Sequence, residues 1–290
     1  STFTQGALVD TNIVAGTFIA GSPDCLWDGT NLFILIQEST VLARLYKYTY
    51  DSTSQTYTLI AGFPLSLPLT GAGTNTSGKF GVFTLDEDST GKLWAAYAGS
   101  GVGGDGKVHV IWSTSADHKS WDSAGFVLAT GISTSTQEAA PIIRFGANKI
   151  GVVWSNQVAS EDAFRYHIDG DPETVWSAKE IIDSGLGPQG LGSVAENHMS
   201  LKAAPDGRLF LIAKDNDGTS HLHLYIRTAA GIWGQKTLVI NDFNANPTRP
   251  VLVLDTDNNE IHVIYKDSSA TGTSRTFITQ SFMNNPAFNT

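Results

Sequence analysis

The sequence predicts an all-β chain built as a five-bladed β-propeller, with four-stranded antiparallel blades. Three observations carry this. Helical heptads are absent and glycine is abundant, with 29 residues. A unit of four short strand-like runs recurs along the chain, the size of one propeller blade. The second run of each unit is apolar on both faces, as a strand sandwiched between two stacked sheets must be.

The unit is clearest between Glu196 and Ile240. It has a first strand from Met199 to Ala204, a turn at Asp206-Gly207, a second strand Leu209 to Ala213, a third from His221 to Arg227, then Trp233 and a fourth strand from Lys236. The other units follow this template. The first has strands at Asp24 to Trp27, Leu32 to Ile36, Arg44 to Tyr50 and Tyr57 to Ala61. The second has Phe80 to Leu85, Leu93 to Tyr97, Val108 to Trp112 and Gly125 to Leu128. The third has Pro141 to Phe145, Ile150 to Trp154, Phe164 to Ile168 and Trp176 to Ile182. The fifth has Pro250 to Leu254, Ile261 to Tyr265 and Arg275 to Phe282. Gly and Asn at the first turns supply the positive φ that tight hairpins need. The third strands alternate in polarity, which predicts half-exposed outer strands.

The fifth unit lacks a fourth strand, and an orphan strand, Phe3 to Thr11, lies at the start. The N-terminal strand is therefore expected to close the last blade, which removes open sheet edges. The whole chain, 1–290, reads as one domain, with blades at about 22–75, 76–135, 136–194, 195–245, and 246–290 plus 1–15. A six-bladed ring is the architectural alternative.

Composition narrows the function. The net charge is −10, from 18 Lys and Arg against 28 Asp and Glu, so no basic face for nucleic acid is expected. No apolar run is long enough to insert in a membrane. The single Cys25 cannot form an intrachain disulfide and reads as a small buried hydrophobe. The abundance of Trp, Asn, Ser and Thr suggests a secreted or cell-surface bacterial protein.

The residues just before the innermost strands are Asp24, Lys79, Glu138, Glu196 with His198, and Arg249. Each unit places an ionisable group at nearly the same point, so a ring would gather them at one mouth on its axis. This predicts a polar axial pocket for a carbohydrate or other polar ligand. The same groups offer a second reading, a glycoside hydrolase or polysaccharide lyase. Hydrolysis needs two carboxylates flanking the glycosidic bond, and Asp24, Glu138 and Glu196 are the candidates, with His198 as a candidate base. The third reading is a structural adhesin or surface-assembly module with no small ligand.

No metal site or cofactor motif is predicted. Asp86 to Gly91 and Asp255 to Asn259 look like the start of calcium loops but lack the closing Glu, and are read as turns, as is Asp215 to Gly218. His221 and His223 share a strand face and are read as surface residues. Gly99 to Gly106 and Ser184 to Ala195 are expected to be long loops near the pocket.

Trp121, Trp176 and Trp233 recur between third and fourth strands, with Tyr57 in the same place in the first unit. The run from Ser115 through Asp117 to Trp121 resembles the aspartate box of sialidase-like (BNR) propellers. It is one residue short, and Lys119 stands near the family's glycine. The resemblance implies the blade type and a packing role for the aromatics, not sialidase activity. The stretches Asn148 to Gln157, His198 to Lys202 and Thr248 to Asp255 are also similar to secreted bacterial proteins with such repeats. That resemblance implies fold alone.

Overall fold

The computed structural model describes residue 9 and residues 23–39, 42–69, 83–99, 104–133, 139–185, 198–215, 221–240, 247–267 and 275–288. The protein is a five-bladed β-propeller, and the described residues contain no helix. The first blade holds β1 (Asp24–Trp27), β2 (Asn31–Ser39), β3 (Leu42–Asp51) and β4 (Thr56–Leu59), with a short β5 (Leu65–Ser66) also paired to β3. The second holds β6 (Thr84–Glu87), β7 (Leu93–Ala98), β8 (Lys107–Trp112) and β9 (Phe126–Thr130). The third holds β10 (Ile142–Phe145), β11 (Lys149–Asn156), β12 (Glu161–Ile168) and β13 (Glu180–Ser184). The fourth holds β14 (Met199–Ala203), β15 (Leu209–Asp215), β16 (His221–Arg227) and β17 (Trp233–Ile240). The fifth shows β18 (Pro247–Asp255), β19 (Glu260–Asp267) and β20 (Arg275–Phe282). Strands pair in chain order within every sheet, antiparallel throughout. The expected closing strand, Phe3 to Thr11, falls outside the described residues.

Strand alternation explains how the blades stack. On β7, Leu93, Ala95 and Tyr97 pack toward the first blade, and Trp94, Ala96 and Ala98 pack toward the third. All six are fully buried, because each face of the sheet meets a neighbouring sheet. Four buried clusters among the described residues fill the spaces between blades one and two, two and three, three and four, and four and five. Close approach matters locally. A Cβ on Gly151 of β11 would lie 2.5 Å from the Phe164 ring, so only glycine fits under it.

Several expectations need correction. Half-exposure fails for β16 and β8, which are mostly buried because neighbouring blades cover them on both faces, whereas β20 does carry exposed residues along its length. The fourth strand of the third blade starts at Glu180, and Trp176 sits in the segment leading to it. Cys25 is exposed. On β1 it shares a side with Trp27, which is 50% exposed, while Leu26 on the other side packs against the second blade. Gly99 to Gly106 connects β7 to β8, and at its base the Gly106 N–H donates to the Gly99 carbonyl at 2.9 Å. Residues 100–103 and 186–195 of the two expected loops lie outside the described residues.

The aspartate-box-like run folds a compact turn. Ser115 Oγ donates to Asp117 Oδ1 at 2.6 Å, and the Trp121 indole donates to the His118 carbonyl at 3.0 Å. Trp121, Trp176 and Trp233 pack into three different interblade clusters, as their packing role requires.

Candidate functional site

An innermost strand has one edge paired within its blade and one facing the axis. The backbone groups on that axial edge still need partners. Here side chains from the preceding blade supply them. Asp24 Oδ2 accepts the Leu85 N–H at 2.8 Å, and its Oδ1 accepts the Cys25 N–H at 2.9 Å. Thr84 Oγ1 accepts the Ile142 N–H at 3.0 Å and donates to the Ala140 carbonyl at 2.7 Å. Asp86 Oδ2 accepts the Arg144 N–H at 2.6 Å, and Ser200 Oγ accepts the Leu252 N–H at 3.2 Å. The steps 84 to 142 and 86 to 144 rise together, so β6 and β10 run in the same direction around the axis.

That common direction puts the starting ends of the inner strands at one mouth. Asp24 opens β1, His198 precedes β14, and Arg249 lies near the start of β18. These are the three predicted pocket residues that lie among the described residues. Lys79, Glu138 and Glu196 lie outside the described residues.

Each of the three is held differently. Burial pushes the Asp24 carboxyl above its ordinary range, although the Leu85 and Cys25 amides and the charge of Lys202 favour ionisation. His198 is half-buried, and its carbonyl accepts the Lys214 N–H at 3.0 Å. Arg249 is exposed and sits at a break in register between Thr248 and Val251. Its φ is 51°, a left-handed conformation that costs a non-glycine residue about 1–3 kcal/mol. A bulge of this kind re-aims a side chain relative to the regular strand.

Asp86 was hidden in the sequence. The Asp86 to Gly91 run reads as turn chemistry, yet Asp86 belongs to β6 and faces the axis. Burial raises its pKa, and the charge of Asp24 adds to that against the Arg144 and Glu87 amides. The true turn residue is Asp88, which accepts the Trp94 indole N–H at 2.9 Å and the Thr90 amide at 2.8 Å. Thr84, Arg144, Ser200 and Lys202 were missed as well. The findable signal was period-2 alternation within the short inner strands, which places 84 with 86 and 200 with 202.

The mouth is rimmed by paired carboxylates near the second-to-third-strand connections. Glu38 accepts from Arg44 Nε at 2.6 Å and from the Tyr46 hydroxyl at 2.8 Å. Asp105 lies 3.0 Å from His109 Nε2, and Glu161 accepts from Lys179 at 2.8 Å. In the fourth blade Asp215 is 2% exposed and lies 2.8 Å from His223 Nδ1 and 3.5 Å from His221 Nδ1. The two histidines are therefore not surface residues, because the third blade covers that face of β16. Asp215 ends β15 and accepts the His221 N–H at 3.2 Å across a connection whose residues 216–220 lie outside the described residues.

At the opposite end of the strands lies a groove of ≈ 550 Å³ lined by Asp28, Glu87, Lys92, Ser115, His118 and Glu173, among others. Two of its acids are engaged locally: Asp28 accepts the Thr30 and Asn31 amides, and Glu173 accepts from Lys92. None of the predicted pocket residues lines it.

No family model matches the chain, and no curated protein matches it. Among solved structures, it is similar to a protein of unknown function from Dyadobacter fermentans, at TM-score 0.58 and 10% identity over 88% of this chain and 74% of that one. It is also similar to an α-L-arabinofuranosidase from Lactobacillus brevis, at TM-score 0.53 and 10% identity over 91% and 92% of the two chains. A third is the α-L-arabinofuranosidase of Podospora anserina in complex with cellotriose, at 0.51 and 13% over 97% and 94%. At such identities the likeness is one of fold.

Proposed function

We propose that this chain is an extracellular carbohydrate-recognising propeller, with blades of the sialidase-like type, that takes its ligand at the axial mouth. What supports this reading is that Asp24, His198 and Arg249 each stand at or near the starting end of an inner strand, and that neighbouring inner strands run in one direction. A carboxylate acceptor, an imidazole and a guanidinium are the groups that fix sugar hydroxyls and acidic substituents. That two similar structures are arabinofuranosidases adds support by analogy of fold.

The test is binding to a panel of plant and algal polysaccharides, arabinan and arabinoxylan included, by affinity electrophoresis and calorimetry. At least one glycan should be retained, and the triple variant Asp24→Asn, His198→Ala, Arg249→Ala should lose it. Unchanged retention by that variant sinks the site.

One observation favours a hydrolase as the second reading. Asp24 and Asp86 are neighbouring carboxyls whose burial raises their pKa, the property a general acid needs. Against it, both Asp24 oxygens already hold backbone amides. Mass spectrometry of the incubated polysaccharides separates the readings: released oligosaccharide establishes hydrolysis, and intact polymer with retained binding leaves recognition.

A further inference from the structure

The β18–β19 hairpin ends at the Asp255 to Asn259 turn, and its chemistry extends beyond the turn. Asp255 and Glu260 are opposite partners in the register, and Val253 pairs with His262. Period 2 along β19 then puts Asp255, Glu260 and His262 on one face of the sheet. Their donor atoms all lie within 4.8 Å of one another, and His262 Nε2 is 3.2 Å from Glu260 Oε2. Asn258 donates twice to Asp255, from its backbone N–H at 3.1 Å and its side-chain amide at 2.8 Å. That fixes the carboxylate while leaving lone pairs for another partner, as supporting residues do for metal ligands.

A second, separate feature adjoins the trio. On β20, Gln280 pairs with His262 and Phe282 with Glu260. Beside them opens a cavity of ≈ 410 Å³ lined by Glu260, Gln280, Ser281, Phe282, Asn285 and Ala287. Three protein donors on one side and an amide-bearing cavity on the other leave coordination positions open for water or the Gln280 carbonyl. Among the described residues no Lys or Arg forms an ion pair with Asp255 or Glu260, so two adjacent carboxylates share only an imidazole. A dication would neutralise them.

We propose that Asp255, Glu260 and His262 bind a first-row divalent transition ion of the Zn²⁺ or Mn²⁺ class. One imidazole nitrogen with two carboxylates is a borderline donor set, which favours these ions over Ca²⁺ or Mg²⁺. The ion clamps the turn end of the fifth blade. It stands apart from the axial mouth, so its fate is independent of the proposed glycan site.

The experiment uses the chain without a histidine tag, stripped with chelator and then titrated with ZnCl₂ by calorimetry and with CoCl₂ by visible absorption. One equivalent should bind saturably, and Zn²⁺ should raise the melting temperature. His262→Gln and Asp255→Asn should each weaken binding at least about tenfold and abolish that rise. The double variant His221→Gln, His223→Gln should bind as the parent does. Failure of the parent to bind one equivalent overturns the proposal. So does binding that survives both His262→Gln and Asp255→Asn, or that is lost in the His221/His223 variant.

Discussion

The interface between blades two and three and the one between blades three and four solve the same problem with different materials. The first is a dry cluster in which Trp94, Trp112, Trp154 and Trp176 are all under a tenth exposed. Trp94 meets Trp112 at 5.4 Å and Trp176 edge-on at 5.8 Å between ring centroids. The second has an apolar set of Phe145, Phe164 and Leu211, but it also carries charged groups along its length. Arg227 lies over the rings of Phe145, Phe164 and Tyr166 and grips both oxygens of Glu180 at 2.8 Å. One pair nearer the mouth, Tyr225 and Lys236 both donate to Asp183 Oδ2 at 2.7 Å. Packing carries most of the first interface, with the Lys92–Glu173 and Ser89–Asp169 contacts at one end of it. The other depends on groups that titrate, so acid should loosen it first.

The largest expected effect breaks the dry side. Trp94→Ala should cost about 3–5 kcal/mol in denaturant unfolding, because it leaves a cavity that its fully buried neighbours cannot fill. A cost near that of a surface substitution would show that the cluster is not holding the blades.

On the charged side, Arg227→Ala should cost about 2–3 kcal/mol, since Glu180 is left partly buried without its cation. Arg227→Lys should recover little of this, because a point charge neither spans both oxygens nor stacks on the rings. Full rescue by lysine would reduce the contact to net charge.

A smaller effect tests the pH difference between the two interfaces. Burial works against the Asp183 charge, but hydrogen bonds from Lys236 and Tyr225 outweigh it and hold the pKa below its ordinary value. A folded pKa lower than the unfolded one adds stability above the ordinary carboxylate range, and that stability is lost as pH falls through the folded value. Lys236→Met should therefore cost up to about 1 kcal/mol at neutral pH, with the gap to wild type closing in acid. A gap constant with pH would mean that only the packing of the lysine stem was lost. For Trp94→Ala, by contrast, most of the cost is lost packing and holds at every pH, and only the part carried by the indole bond to Asp88 should fade in acid.

The smallest effect has the opposite sign. The Asp24 pKa is raised in the fold, so the carboxyl disfavours folding once pH climbs past its unfolded value toward the folded one. Asp24→Asn keeps an acceptor for the Leu85 amide, gives up the one for the more exposed Cys25 amide and removes the buried charge. It should be as stable as wild type or slightly more so at neutral pH, with the difference vanishing in acid. Thermal melts at two pH values check this.

Much of the blade plan was legible because sandwiched strands leave a plain mark. LWAAY and LFLIA are apolar at every position, and both became fully covered second strands. Short and polar elements were harder to read. Cys25 lies on a four-residue strand, where one step of alternation decides between core and solvent. His221 and His223 alternate with leucines, as a half-exposed strand would, but the third blade covers the polar side too. Asp86 was masked by the Asp-x-Asp pattern it shares with Asp88. Asp24, His198 and Arg249 could be singled out from their place by the inner strands, whereas the Leu85 amide that partners Asp24 arises from blade stacking that no local pattern encodes.

Asp24 arrives at the axis already occupied by two amides, each taking one of its oxygens. Its orientation is thus settled before any guest comes, and the remaining lone pairs point in fixed directions. A hydroxyl donor meeting it would find the ordering cost largely prepaid, and would be sorted by angle more than by charge. Lengthening this residue by one methylene, as glutamate, would free the carboxylate from Leu85 and trade that discrimination for reach.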